Sequence, residues 1–416
     1  MGPDDTHAPS DSTREVSLID GPELPEALQE LRPDHPGYRP RHVAVIGNSA
    51  ASLRNFRIPL IREILSRGHR VTVLAPDLSA EEARLFREVG ADGAAYSLSP
   101  AGLNPLRDLR DTVRLAAQLR SLGAEIVLSY TPKCNIFGSL AAFLAGTERR
   151  YALVAGLGYM FGDSAASRLK YRLTKPLVKL LYRLALRRCD RVFFQNPDDL
   201  DELVNAGVVE RRRCERVYGS GVDLDEFPVV PQAAAPLSFV MVARLLREKG
   251  VLDFVAAART VKQRHPAARF ILVGGPADNP DSISSADAQQ WHAEGLIEWA
   301  GEVRDVRPYL RQAAVFVLPS YYREGTPRST LEAMACGRAV ITTRSPGCKE
   351  TVIDGRTGYL VPPRDPQALA AAMLRFLDEP SLVETMGRES RALCEALYDV
   401  RSVNRQMLES MSLPAA

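Results

Sequence analysis

Two doubly wound α/β domains in tandem, facing each other across a cleft, are the architecture this sequence predicts, on three observations. The chain has 416 residues, more than a single hydrophobic core usually organises. From residue 41 onward, short β-branched runs alternate with longer helical patterns. A proline- and alanine-rich stretch at 228–236 (PVVPQAAAP) then interrupts that alternation, which restarts after it.

Residues 1–40 are rich in Pro, Asp, Ser and Thr and carry no sustained apolar period, so a disordered extension is expected there. No basic region followed by an apolar one marks a signal peptide. Strands are expected at 42–47, 70–75, 125–130, 151–156, 191–196 and 215–219, with helices at 56–67 and 105–122. After the linker they are expected at 238–244, 269–275, 297–301, 314–319, 339–343 and 358–362. Such near-continuous apolar runs suit parallel strands covered on both faces. A helical pattern at about 367–412 closes the chain. The expected division is an extension (1–40), a first domain (41–230), a second (237–385) and a final helix (386–416) returning toward the first. In such domains ligands bind beyond the carboxyl ends of the strands, which places the site in the interdomain cleft.

The bulk composition narrows the function. Apolar residues make up 45% and charged residues 25%, and the net charge is +2, so no global basic field points to nucleic acid. Six scattered cysteines form no C-x-x-C pair, which fits reduced thiols in a cytosolic protein and neither a zinc nor a redox motif. No apolar run reaches the roughly 18 residues of a spanning helix.

The chemistry is concentrated at 318–336 (LPSYYREGTPRSTLEAMAC). This segment leaves a buried strand at Pro319 and enters a helix near Thr326, with Thr326 expected to cap it and Pro327 to take the first helical position. The amides of Arg328, Ser329 and Thr330 would then face an anion. Glu324 in the loop and Glu332 in the helix flank that seat, and carboxylates suit sugar and ribose hydroxyls because they accept two hydrogen bonds. Alone, the pair reads more readily as a solvated helix face. The phrase ARLLREKG at 243–250 adds Arg244 and Lys249 on the first loop of the second domain, two cations able to neutralise a diphosphate where no metal-ligand cluster is written.

R-L-x-x-x-K-G at 244–250, VGG at 273–275, EGTPRSTLEAMACG at 324–337 and GYLVPP at 358–363 together resemble family 4 of the retaining glycosyltransferases. That resemblance implies the GT-B fold of two Rossmann-like domains. It implies that Glu324, Arg244 and Lys249 serve catalysis, the cations by holding the donor diphosphate. Glu332 would bind the ribose, with Gly275, Gly325, Thr326, Arg328, Ser329, Thr330 and Gly47 around the donor. No cofactor and no metal are expected, since the nucleotide sugar is itself a substrate.

The amino-terminal half carries NFRIPLI (55–61), LNPLRDL (103–109), KCNIFGSLAA (133–142) and YALVAGLGYMF (151–161). These are similar to one bacterial subgroup of the family, which implies a polyprenyl-diphosphate-linked acceptor and a UDP-linked hexose or N-acetylhexosamine donor. Lys133, Asn135 and Gly158 are the acceptor-side candidates. An ordinary exposed lysine competes for Lys133, and a simple turn competes for the Gly47-Asn48-Ser49 stretch. Many family members have a cleft histidine on the loop that here reads AGLGYMF. His42 and His69 stand near strand starts, away from the cleft, so that role is not carried over. The leaving phosphate would accept the proton instead.

Residues 168–188 (RLKYRLTKPLVKLLYRLALRR) are basic and amphipathic without one acid. A core helix with a solvated basic face would look similar. With a lipid-linked acceptor, the stretch is expected to dock the enzyme peripherally on the anionic inner leaflet, from the cytoplasm. Two patterns point elsewhere. Asp223-Leu224-Asp225 matches a metal-holding D-x-D but reads as a turn. Gly156-x-Gly158-x-x-x-Gly162 has one residue too many for a dinucleotide fingerprint, which counts against an NAD-dependent oxidoreductase. A non-catalytic sugar-nucleotide-binding protein is the third reading.

Overall fold

The computed structural model describes residues 39–99, 104–158, 168–231, 237–277, 279 and 281–413, with only the backbone of 168–175. The extension expected over 1–40 lies almost wholly outside these residues.

Seven parallel strands form the first sheet: β1 (His42–Ile46), β2 (Arg70–Ala75), β3 (Asp92–Ala95), β4 (Ile126–Tyr130), β5 (Arg149–Val154), β6 (Arg191–Phe194) and β7 (Cys214–Arg216). Their order is β3-β2-β1-β4-β5-β6-β7. The connecting helices are α1 (Ala50–Ser66), α2 (Ala80–Val89), α3 (Pro105–Leu122), α4 (Pro132–Ala145), α5 (Arg168–Leu186) and α6 (Pro197–Asn205). Every residue of β1 is buried, as a strand covered by helices on both faces requires. Strand β3 was not expected: its DGAA sequence is half-exposed at the sheet edge and has no apolar run to announce it. Helix α1 starts six residues before the expected 56, because the Ser49 hydroxyl accepts the amide of Ser52, and Pro59 does not end it.

The second sheet has six parallel strands: β8 (Ser238–Val242), β9 (Arg269–Val273), β10 (Glu298–Gly301), β11 (Val315–Leu318), β12 (Ala339–Thr343) and β13 (Gly358–Val361). They run in the order β10-β9-β8-β11-β12-β13. Its helices are α7 (Val251–Arg264), α8 (Ser285–Ala293), α9 (Arg307–Gln312), α10 (Arg328–Ala335), α11 (Pro366–Asp378) and α12 (Ser381–Leu397). The last helix, α13 (Val400–Ser410), packs on the first domain instead: Met407, Leu408 and Met411 are buried in one apolar cluster with β1, β2 and α1.

The boundary expected at 386 falls inside α12, whose Met386 and Cys394 remain in the second core. The chain crosses back one turn later, where Val222 donates to Tyr398 O (2.8 Å) and Val400 donates to Val222 O (3.1 Å). Val222 and Phe227 already belong to the second core, so the outward crossing also precedes residue 230. Among the described residues no helix is long and apolar enough to span a membrane.

Candidate active site

Each sheet reverses its strand order once, between β1 and β4 and between β8 and β11. Doubly wound sheets bind ligands at such a switch point, beyond the carboxyl ends of the strands. The loops leaving these four strands line one interdomain cleft of about 1020 Å³. Asn48, Arg57, Tyr130 and Thr131 stand on its first wall, and Arg244, Lys249, Glu324 and Glu332 on its second.

On the second wall, Lys249 and Glu324 meet in an ion pair, and Ser320 Oγ donates to the same carboxylate at 3.0 Å. Glu324 is only 8% exposed. Their loops are tied together by the amides of Tyr321 and Tyr322, which both donate to Glu248 O (2.9 and 3.0 Å). Gly250, at φ +78°, lets them approach, since a Cβ there would stand 2.6 Å from the Pro319 carbonyl carbon. Arg244 is exposed to the cleft, and its side chain has no hydrogen-bond or ion-pair partner among the described residues. Arg328 Nε sits 3.1 Å from Glu332 Oε1 and its Nη1 donates to Gly221 O at 2.8 Å. Burial pushes the Glu332 carboxyl above the usual range, against the opposing pull of Arg328.

The helix start differs from expectation by one residue. Pro327 occupies the cap position of α10 without a side-chain cap. Thr326 spends its hydroxyl on Gln195 O, 3.2 Å away in the first domain. The Thr330 amide donates to Pro327 O (3.1 Å) and its side chain is buried, so Thr330 does not face the cleft, whereas Arg328 and Ser329 do. Gly325 lines the cleft as expected; a Cβ on it would stand 2.6 Å from the Ala155 carbonyl carbon. Gly275 and Gly47 lie one step back. Gly275 O accepts from Leu245 and braces the Arg244 loop, while Gly47 packs under the Tyr130 ring and leaves Asn48 to line the cleft.

Two acceptor-side candidates are corrected. Because α4 already begins at Pro132, the Lys133 side chain swings away from the cleft to Asp108 of α3, at 2.9 Å. Asn135 is buried and donates to Leu153 O (2.9 Å), tying α4 to β5. Gly158 sits where the two domains touch, its amide donating to Arg323 O at 3.3 Å. Tyr159, Met160 and Phe161 of the AGLGYMF loop lie outside the described residues, as does Gly162. His42 and His69 are structural: the His42 ring bonds Leu122 O and Thr72 Oγ1, and His69 Nδ1 accepts the Arg41 amide. Asp223 forms a turn by accepting the amides of Asp225 (2.9 Å) and Glu226 (3.3 Å), and Asp225 pairs with Arg401.

Sequence reasoning missed the clamp between the domains. Arg323 reaches from the Glu324 loop to Asp199 (2.8 Å) and Glu202 (2.5 Å), and Asn196 Nδ2 donates to Glu324 O at 2.9 Å. Lys349 pairs with Asp198 at 2.9 Å. The NPDDL phrase reads only as a helix start, which it also is, since Asn196 caps α6. Arg57, inside the NFRIPLI phrase, is a further cleft residue that the sequence pattern does not mark.

Residues 236–379 match the model of glycosyl transferases group 1, and residues 59–220 match the glycosyl transferase 4-like domain. The N,N'-diacetylbacillosaminyl-diphospho-undecaprenol alpha-1,3-N-acetylgalactosaminyltransferase of Campylobacter jejuni is 30% identical over 353 residues, covering 82% of this chain and 90% of that relative. The putative colanic acid biosynthesis glycosyltransferase WcaL of Escherichia coli is 32% identical, covering 49% and 53%. Among solved structures, HepE of Anabaena in complex with UDP and glucose superposes with a TM-score of 0.68 at 17% identity, over 89% of this chain and 99% of that one. Sucrose-phosphate synthase of Thermosynechococcus elongatus gives 0.71 at 20%, over 89% and 98%. At those identities the structures show the shared fold, and the sequence matches show the lineage: the chain belongs to the group 1 glycosyltransferases of family 4, with the GT-B fold.

Proposed function

We propose that this glycosyltransferase moves a hexose or N-acetylhexosamine, with retention, from a UDP-linked donor to a polyprenyl-diphosphate-linked saccharide. The observation that carries it is the convergence of Arg244, Lys249, Glu324, Glu332 and the start of α10 on one cleft. The cationic loop and the first amides of α10 receive the diphosphate, Glu332 the ribose and Glu324 the donor sugar. The acceptor hydroxyl attacks the anomeric carbon as its bond to the phosphate oxygen breaks, and the leaving phosphate takes the hydroxyl proton. Arg244 and Lys249 stabilise the charge that develops there, in place of a metal. The acceptor class follows the printed activity of the Campylobacter relative.

A lipid-linked acceptor requires the enzyme to meet a membrane, and the surface supports docking there from the cytoplasmic side. Eight of the eleven exposed large apolar side chains among the described residues lie on α3, α4 and α5, among them Leu106, Leu109, Leu177, Leu180 and Leu184. On α3 every exposed charged side chain is an arginine, while Asp108 and Asp111 are buried. Apolar side chains set among basic ones suit an anionic lipid surface, at about 1 kcal/mol per basic residue. Liposome binding unchanged by charge reversal of Lys179 and Arg183 would remove this part.

Thermal shift separates the classes: UDP raises the melting temperature of a transferase, NAD that of a dehydrogenase. A shift with NAD and none with any nucleoside diphosphate overturns the proposal. UDP binding without turnover leaves a sugar-nucleotide-binding protein.

A further inference from the structure

Arg57 is a buried cation without an anion. It lies in α1, 3% exposed, on the first wall of the cleft. Its guanidinium stands 4.6 Å from the centroid of the Tyr130 ring. Among the described residues it forms no hydrogen bond or ion pair, and its Nε is enclosed with no acceptor. Of the other buried arginines, Arg67 bonds Glu63 and Leu413 O, whereas Arg338 donates to Val230 O but leaves its Nε and Nη1 without an acceptor; unlike Arg57, neither lines the cleft. Burying a charge without a partner is unfavourable, and on the wall of a cleft an anionic ligand can supply that partner.

Its surroundings point to a ligand. Tyr130 donates to Ser52 Oγ at 2.9 Å, which fixes the ring under the guanidinium. Asn48 Oδ1, on the same wall, is buried without a donor and so calls for a ligand hydroxyl rather than a phosphate oxygen. Thr131 holds φ +76° and ψ 150°, a conformation residues with a Cβ rarely adopt and one that concentrates at functional sites. Asn48, Tyr130 and Thr131 follow β1 and β4, at the switch point of the first sheet. Burial, together with the charge of Arg328, pushes the guanidinium below its ordinary value, while Tyr130 opposes the shift. At neutral pH an arginine nonetheless keeps its charge.

We infer that Arg57 receives the diphosphate of the lipid-linked acceptor, in a site framed by the Tyr130–Ser52 pair. This rests on the acceptor class proposed above and moves to Arg57 the role expected for Lys133. The donor diphosphate already has Arg244, Lys249 and α10 on the opposite wall. Two diphosphates in one cleft repel each other, so the second needs its own cation, on the acceptor's side.

The test uses the full chain with UDP at saturation, which fills the donor seat, and farnesyl diphosphate titrated calorimetrically. The wild type binds it. Arg57→Met binds it at least about tenfold more weakly, while UDP affinity stays within about twofold. Arg57→Lys, which keeps the charge, recovers part of the loss. The ligand-free melting temperature of Arg57→Met equals or exceeds that of the wild type, because an uncompensated charge has gone. An equal loss of UDP affinity would assign Arg57 to the donor seat, and unchanged farnesyl diphosphate affinity would make it a packing residue; either overturns the inference. If Arg57→Met does not fold, Arg57→Lys carries the same comparison. A wild type that binds UDP but no farnesyl diphosphate removes the acceptor reading together with this inference. A wild type that binds farnesyl diphosphate as tightly as Arg57→Met does removes the inference alone.

Discussion

Lys249 and Glu324 are bonded to each other across two loops of the second domain. In the proposed function they serve different parts of one donor, the lysine its diphosphate and the glutamate its sugar. The ligand-free pair therefore neutralises itself, and an arriving diphosphate competes with Glu324 for the ammonium.

Glu324→Gln separates the two roles. It frees Lys249, so UDP affinity holds or rises, within about threefold. Turnover falls by roughly 10²-fold or more, the size of losing a principal polar contact to the reacting group. Calorimetry with UDP and initial rates on the same preparation check both halves. A parallel loss of UDP affinity and rate would place Glu324 in the diphosphate seat.

Arg323 holds the domains together at the cleft. Asp199 is fully buried and would lose its charge partner in Arg323→Met. Breaking a buried pair from one side costs about 3–5 kcal/mol, measurable by urea denaturation. Adding Asp199→Asn should cost less than its own single effect, and strict additivity would contradict the coupling.

His69 sets part of the acid limit of stability. Burial, with Arg67 and Arg41 nearby, pushes its pKa from 6.5 down to about 4, and its Nδ1 must stay unprotonated to accept the Arg41 amide. Between those values the unfolded chain binds more protons than the folded one, so stability rises with pH. The contribution is complete above pH about 6.5 and is lost as pH falls toward 4. His69→Gln should flatten that limb in melting curves taken from pH 4 to 7.5; an unchanged slope would contradict the assignment.

How legible these features were depends on where their partners lie. The donor side was readable because its chemistry is nearly contiguous: a loop glutamate, a helix start and a helix glutamate fall within one short segment. Helix α3 was readable for the same reason, since Asn104 caps it and Pro105 opens it. Thr326 was misjudged because its hydroxyl has a competing acceptor, Gln195 O, supplied by the other domain. Lys133 follows a central strand, yet α4 begins so early that Asp108 captures it. Arg57 looks in sequence like any helix arginine, and only its burial beside Tyr130 makes it unusual.

Sugar transfer from a nucleotide donor is measured most directly as product formation from a panel of nucleotide sugars with polyprenyl-diphosphate-linked acceptors. Wild-type protein should transfer sugar from one UDP-linked donor with release of UDP, in the presence of a metal chelator and with retained anomeric configuration. Glu332→Ala, which removes the proposed ribose contact, should lose at least about tenfold in kcat/KM. No turnover with any nucleotide sugar, while NAD or another ligand binds tightly, would contradict the account.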